Sequence, residues 1–512
     1  MTSPRPEITR RDFIIAGAAA AVAGASTGQP LAAVEPAEAS PDLIPRENRR
    51  EGALDWQLTR VRVDGEEGSR SRWIEGFASR QSAAAGETVE LCVSTDPPAP
   101  FTIEIFRMGN YGGRGARLVA ALGPFEGKKQ PDPPIGPKRI RECRWEPSAA
   151  VTIPSDWPSG VYLGRLTTRP ADRSTPYWQS YVIFVVRDTR RAEVVFQVSD
   201  NTWQAYNVWP GGWSLYTDPR GGHAVDVAVS FDRPYGLYPQ IFRNPQSVGS
   251  GEFLLWEYPL AYWLEAEGHD VTYVSNSDVL DASQITRART FISVGHDEYW
   301  DLRQYSAVQR AIAEGVNVLW LSGNSVFAVS PFGESSSGRA HRTLERVGLF
   351  GGLTDAEIRA EIGVFTPDWK RVGPDESAII GARSIVPFNG GGDWICERPE
   401  HWIFAGTGMK KGDAIPGLVG WEHHGAPASI PGLEVVGEGT SWRGGDAPAH
   451  WTATVHPGPG RNFVFNAATI FWAQGLSSPP GHWIPWSHWS RPHGPDARVQ
   501  RITANLLARR SG

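Results

Sequence analysis

Two hydrophobic rhythms divide the chain. Between residues 56 and 189, short runs such as "TVELCVST", "FTIEIFRMG", "ARLVAAL", "GVYLGRLTT" and "SYVIFVVRD" are alternating or β-branched, and each is closed off by Gly, Pro, Asp or Ser. A strand sends successive side chains to opposite faces, so this pattern predicts an antiparallel, immunoglobulin-like β-sandwich, accessory in role. From residue 190 the rhythm changes. "AEVVFQVSD", "HDVTYVSNSD", "ARTFISVG" and "VNVLWLSGNS" are strand-like apolar runs, and between them "EFLLWEYPLAYWLEAEG" and "LRQYSAVQRAIAEG" carry apolar residues at helical spacing. Strand and helix alternate, which predicts an α/β domain over residues 190–512 with a mostly parallel sheet. Residues 350–450, rich in Gly and Trp, read as a β-rich insertion with strands such as "GLVGWEHHG" and "GLEVVGEG". A hairpin, "HWTATVHPGPGRNFVFNAATIFW", and a last helix, "DARVQRITANLLARR", complete the domain.

The first residues follow neither rhythm. "TRRDFIIAGAAAAVAGAS" sets Arg10 and Arg11 before a short alanine-rich stretch, and Ala37 and Ala39 in "AEAS" offer a small-residue cleavage site. Residues 1–39 are therefore read as a twin-arginine export signal, and the polar, charged residues 40–55 as a linker or leading arm. The mature protein is expected to be periplasmic or secreted. It is expected to be free of the membrane, because no later run reaches the roughly 20 apolar residues of a span.

Composition narrows the partners. A chain of 512 residues, 40% apolar and 21% charged, can bury a large core in two or three domains. Its net charge of −6 comes from interspersed acids and bases, with no basic stripe to track a phosphate backbone, so nucleic acid is not an expected partner. The 22 Trp, 56 Gly and 41 Pro point to turns, short strands and aromatic-lined surfaces, with helices in the minority. Cys92, Cys143 and Cys396 form no CxxC. The first two fall in one all-β domain, where a disulfide and a pair of free thiols both stay open.

In an open parallel sheet, ligands bind beyond the carboxyl ends of the strands. The polar residues at those ends are 199–201, 275–278, 296–298 and 322–324. The first set runs into "SDNTWQAYNVWPGGWSLYTD", where Pro210, Gly211 and Gly212 turn the backbone so that Tyr206 and Tyr216 can face a common space. The same rings can instead cap the sheet or form a stacking platform for a sugar. The third set, "VGHDEYW", offers His296, Asp297 and Glu298 directly behind an apolar run.

"NTWQAYN", "GGWSLY", "GHDEYW" and "SGNSVF", in this order and at these spacings, resemble the large (beta) subunit-like family of N,N-dimethylformamidase, most strongly over residues 190–480. The resemblance implies a domain similar to glutamine amidotransferases and a mononuclear ferric iron held by Tyr206, Tyr216 and Glu298, with Tyr258 as the fallback for the second tyrosine. It implies catalytic roles for His296 and Asn324. It also implies a small amide as substrate and, as partner, a separately encoded small subunit or a homo-oligomer. Two departures concern the substrate: the export leader, and Trp203 where the family has another tyrosine.

Such a donor set makes chemical sense. A phenol with an ordinary pKa near 10 becomes a good ligand only beside a strong Lewis acid, and three anionic oxygens match a trivalent ion while leaving room for water and a carbonyl. Zinc would recruit His or Cys, and neither HExxH nor paired CxxC is present. The expected reaction is iron-dependent hydrolysis of an unactivated amide, with His296 moving a proton and Asn324 donating to the oxyanion. The thiol route of a glutaminase and the GxSxG elbow of a serine hydrolase are both missing. The competing reading is a non-catalytic exported binding protein with a Trp-rich carbohydrate or small-ligand crevice.

Overall fold

The computed structural model describes residues 42–65, 68–172, 174–220, 227–241, 244–351, 371–385, 390–442, 448–484 and 494–509. Residues 1–39, the expected export signal, and parts of the Gly/Trp-rich stretch lie outside the described residues. The first rhythm yields β1 (Glu75–Ala78), β2 (Ser82–Ala83), β3 (Thr88–Ser94), β4 (Phe101–Met108), β5 (Ala116–Phe125), β6 (Ala149–Thr152), β7 (Gly160–Thr168) and β8 (Gln179–Val186). They form two sheets, β1-β3-β6 and β2-β8-β7-β4-β5, antiparallel except where β2 joins β8.

Every residue of β8 is buried, and alternation explains why. Val182, Phe184 and Val186 pack with Leu91, Val93 and Ile103, while Tyr181, Ile183 and Val185 join the larger core that contains Val194, Phe196 and Tyr273. A strand covered on both faces needs apolar residues at every step, which is the run "SYVIFVV". The leading stretch 40–55 contributes α1 (Leu43–Asn48), whose Ile44 and Glu47 are buried.

The second rhythm yields β9 (Ala192–Gln197), α2 (Asp200–Tyr206), α3 (Tyr258–Ala266), β10 (Val271–Val274), β11 (Ala288–His296), α4 (Leu302–Ala313) and β12 (Asn317–Gly323). Beyond them lie β13 (Ala382–Ile385), β14 (His423–Pro427), β15 (Glu434–Ser441), β16 (Ala449–Pro457), β17 (Phe463–Asn466) and α5 (Ala497–Ala508). Seven of these strands make one sheet in the order β10-β9-β11-β12-β17-β16-β15. The first five pair in parallel and the last two antiparallel. The fold is thus a mixed α/β architecture rich in strands and poor in helices. α4 starts where the sequence predicts, capped by Asp301 and Gln304 in a capping box. The run predicted as one helix from Phe253 instead begins as a π-helix, Phe253–Glu257, before α3.

A buried ion pair ties the two sheet systems together. Both N–H arms of Arg107 on β4 reach Glu265 on α3, at 3.0 and 2.8 Å. The three cysteines are buried free thiols; Cys92 and Cys143 share a small cluster with Phe77, Trp145 and Trp209. Among the described residues no helix is long and apolar enough to cross a membrane.

Candidate active site

Parallel pairing brings the strand-end polar residues together. β11 and β12 run in register with His296 opposite Gly323, so "HDE" and "SGNS" leave the sheet side by side. Asn201 N–H donates to Asn276 Oδ1 at 2.9 Å, and Asn276 N–H donates to Asp200 Oδ1 at 2.7 Å, adding the ends of β9 and β10.

Tyr206 closes α2, and the chain after it folds back so that Leu215 N–H donates to Ala205 O at 2.9 Å. That return sets the Tyr216 ring 4.8 Å from the Tyr206 ring. Arg233 fixes the return from behind: its guanidinium reaches the carbonyls of Gln204, Asn207, Trp209 and Trp213 at 2.7–3.1 Å and the Gln204 side chain at 2.8 Å. Glu298 arrives after the bend at Gly295, where φ is +68° and a Cβ would lie 2.6 Å from Trp256 Cβ. Its backbone N–H is held by Thr202 Oγ1 at 2.9 Å.

The three residues meet. Tyr206 donates to Glu298 Oε2 at 2.7 Å, Tyr216 donates to Glu298 Oε1 at 2.8 Å, and the two phenol oxygens are 3.2 Å apart. Tyr258 is elsewhere, donating to Gly115 O at 2.8 Å. Beside the trio lies His296, its ring 4.7 Å from that of Tyr206. His296 Nδ1 is 2.8 Å from Glu252 Oε2, and Nε2 is 3.0 Å from Glu422 Oε2 and 3.6 Å from Glu298 Oε2. Asp297 turns the other way, taking hydrogen bonds from Gln197 and Ser293 at 2.7 Å each. Asn324, fully buried with φ +51°, has neither amide atom in a hydrogen bond.

Electrostatics favour a cation here. Burial, reinforced by the Glu298 charge, holds the phenols of Tyr206 and Tyr216 well above their ordinary pKa. Burial pushes Glu422 up to about 7 and raises Glu252. Burial would lower His296, but Glu422 and Glu252 outweigh it and raise the imidazole well above its ordinary value. Three acidic side chains thus crowd one imidazole, and Nε2 of His296 and Oε2 of Glu422 face each other without hydrogen-bond geometry. Ligand atoms of His296, Glu298 and Glu422 all lie within 4.8 Å of one another, so this buried His/Glu/Glu group can hold a metal. The two phenols add hard oxygen donors on the same carboxylate, a set that fits a highly charged ion.

The model of the family described as "N,N-dimethylformamidase beta subunit-like, C-terminal" matches residues 102–485. The chain belongs to this family. A comparison with curated proteins finds no match. Membership joins both sheet systems in one family region, since the match starts on β4 and runs past β17.

Two acids of the site escaped the sequence reading. Glu422 lies in "GWEHHG", where one acid and two histidines inside an apolar stretch were the visible signal; the predicted continuous strand there is broken, with β14 starting only at His423. Glu252 follows "VGSG" at the mouth of the π-helix and carried no signal beyond its glycines. The tryptophans of the 203–213 segment are buried: Trp203 donates to Glu257 and Trp209 to Glu75, at 2.7 and 2.8 Å. They build core here, not an open stacking platform.

Proposed function

We propose that the protein is a metal-dependent hydrolase of a small unactivated amide, with a mononuclear ferric iron held by Tyr206, Tyr216 and Glu298. The observation that carries this reading is the sharing of the two Glu298 oxygens by two buried phenols, 2.7 and 2.8 Å away. Family membership supports the amidase class, since the family is named for dimethylformamidase.

When bound, ferric iron supplies Lewis acidity toward a carbonyl or a water molecule. His296, with Glu422 Oε2 3.0 Å from its Nε2, takes the proton from the attacking water and returns it to the leaving amine. Glu252 on Nδ1 keeps the imidazole aimed with Nε2 toward that exchange. Asn324 donates from its free amide to the developing oxyanion, a contact worth roughly 3 kcal/mol. Tyr238, Trp256 and Trp421 wall the site, with the Trp421 ring 5.4 Å from His296, and exclude water and bulky substituents.

We further propose export by the twin-arginine route, and a partnership with a small subunit or a second copy, the former suggested by the "beta subunit-like" family name. The test is metal analysis and a visible spectrum of the purified protein, followed by a screen of formamides and N-alkyl amides for amine release. Iron near one per chain, a phenolate charge-transfer band and amine release are expected. A colourless, metal-free, folded protein that releases no amine sinks the proposal.

A further inference from the structure

The turn that presents Asn324 is strained and braced. Asn324 has φ +51° and Val326, a β-branched residue, φ +56°, a conformation such side chains adopt only when their surroundings force it. Gly323 before them lets the chain pass against the backbone just ahead of β14: a Cβ there would lie 2.4 Å from Glu422 O. Between the two strained residues, both backbone polar groups of Ser325 are held by side chains from one ribbon. Ser325 N–H donates to Nε2 of His424 at 3.0 Å, and Ser325 O accepts from the Ser384 hydroxyl. Ser384 and His424 are directly opposed in the pairing of β13 with β14.

The tautomer of His424 follows from its neighbours. Asn466 donates through Nδ2 to Thr452 O at 2.9 Å and accepts at Oδ1 from Ala468 N–H at 2.7 Å, which fixes its amide orientation. Its Oδ1 therefore accepts from His424 Nδ1, 2.5 Å away, and leaves Nε2 unprotonated to receive Ser325 N–H. His423, the neighbour of His424, is turned to Ser441 at 2.8 Å.

We propose that His424 is a positioning residue that acts through Asn324: by accepting the Ser325 amide it holds the strained turn in the conformation that leaves the buried Asn324 side chain without a hydrogen-bond partner of its own. The Gly/Trp-rich stretch thereby serves catalysis twice, through Glu422 directly and through His424 at one remove. This inference rests on the amide-hydrolase reading above.

The test is a double-mutant cycle on the metal-loaded full chain, with kcat and KM read separately for the amide identified by the amine-release screen. Asn324→Ala is expected to lower kcat about a hundredfold with KM little changed. His424→Leu is expected to lower kcat to a similar extent while metal content and visible spectrum stay as in the wild type. The double variant is expected to be no slower than the slower single variant. His424→Gln, which keeps an acceptor for Ser325, is expected to recover most of the rate. If His424→Leu does not fold, Ser384→Ala, which removes the other brace, takes its place in the cycle. Losses that multiply in the double variant, or a His424→Leu enzyme with unchanged kcat, overturn the positioning role alone. Absence of amine release by the wild type, or full activity of Asn324→Ala, overturns the hydrolase or oxyanion reading and this inference with it.

Discussion

The hydroxyl of Tyr206 donates to Oε2 of Glu298 at 2.7 Å across a sequence separation of 92 residues. A phenol held above its ordinary pKa by burial and by that carboxylate remains a proton donor until a cation displaces the proton. Replacing Tyr206 or Tyr216 by Phe is expected to abolish the charge-transfer band and to cut metal content and amine release together. Loss of a hydrogen bond to a charged acceptor is expected to cost about 1.5–3 kcal/mol of stability in the metal-free protein. Metal analysis, absorption spectra and urea unfolding of the two variants check this.

Removal of the metal with a strong chelator is expected to bleach the band and stop amine release while leaving the fold intact, because α2, β11 and the backbone return held by Arg233 place the three residues through packing and hydrogen bonds outside the metal site. Far-ultraviolet circular dichroism and activity before and after dialysis, with recovery on adding ferric rather than zinc salts, test it.

Glu252 and His296 lie 2.8 Å apart and both are buried. Glu252→Gln keeps the shape of the contact and removes its charge, so kcat is expected to fall roughly ten- to a hundredfold with metal retained, while His296→Ala loses about 10²–10⁴-fold. Steady-state kinetics on metal-quantified variants decide whether the two effects differ in this order.

Asp200 is buried, with Oδ2 in no hydrogen bond, and burial followed by the Asp278 and Asp297 charges pushes its carboxyl up to about 7. The folded state therefore holds a proton that the unfolded state, with a pKa near 3.9, has released. Its contribution is fully present below about pH 4 and is lost as pH rises to about 7, a loss on the order of 4 kcal/mol. Asp200→Asn carries no such titration, so its stability advantage over the wild type is expected to grow between pH 4 and 7 and to level off above. Urea midpoints at pH 4.5, 6 and 8 test the sign.

Arg107 and Glu265 have fully buried side chains. Glu265→Gln leaves the guanidinium without its counter-charge, and a destabilisation of about 3–5 kcal/mol is expected. Since the pair joins β4 to α3, unfolding should stay a single transition at lower urea, read by fluorescence and circular dichroism together.

Much of this was legible along the chain. The period-two runs became β3, β4, β5, β7 and β8, and the capped amphipathic run became α4, because backbone periodicity and capping act over a few residues. His296 and Glu298 stood out because they follow an apolar strand directly, where a parallel sheet opens onto a crevice. The tryptophans near Tyr206 left two readings open along the chain, a cover for the sheet end and a stacking platform, and their burial decides against the platform. Glu252 and Glu422 were not legible as site residues, since nothing local marks an acid as bound for one particular histidine.

The order of strands and helices, the two tyrosines and the "HDE" cluster belonged to the sequence alone. Tertiary structure decided which oxygens meet: the register of His296 against Gly323, the backbone return held by Arg233, and the placement of Glu252 and Glu422 on either side of one imidazole ring. Local preference specifies dihedral angles over a turn or two, whereas the distance between groups far apart in sequence is set by packing and strand register, quantities that exist only once the core has formed.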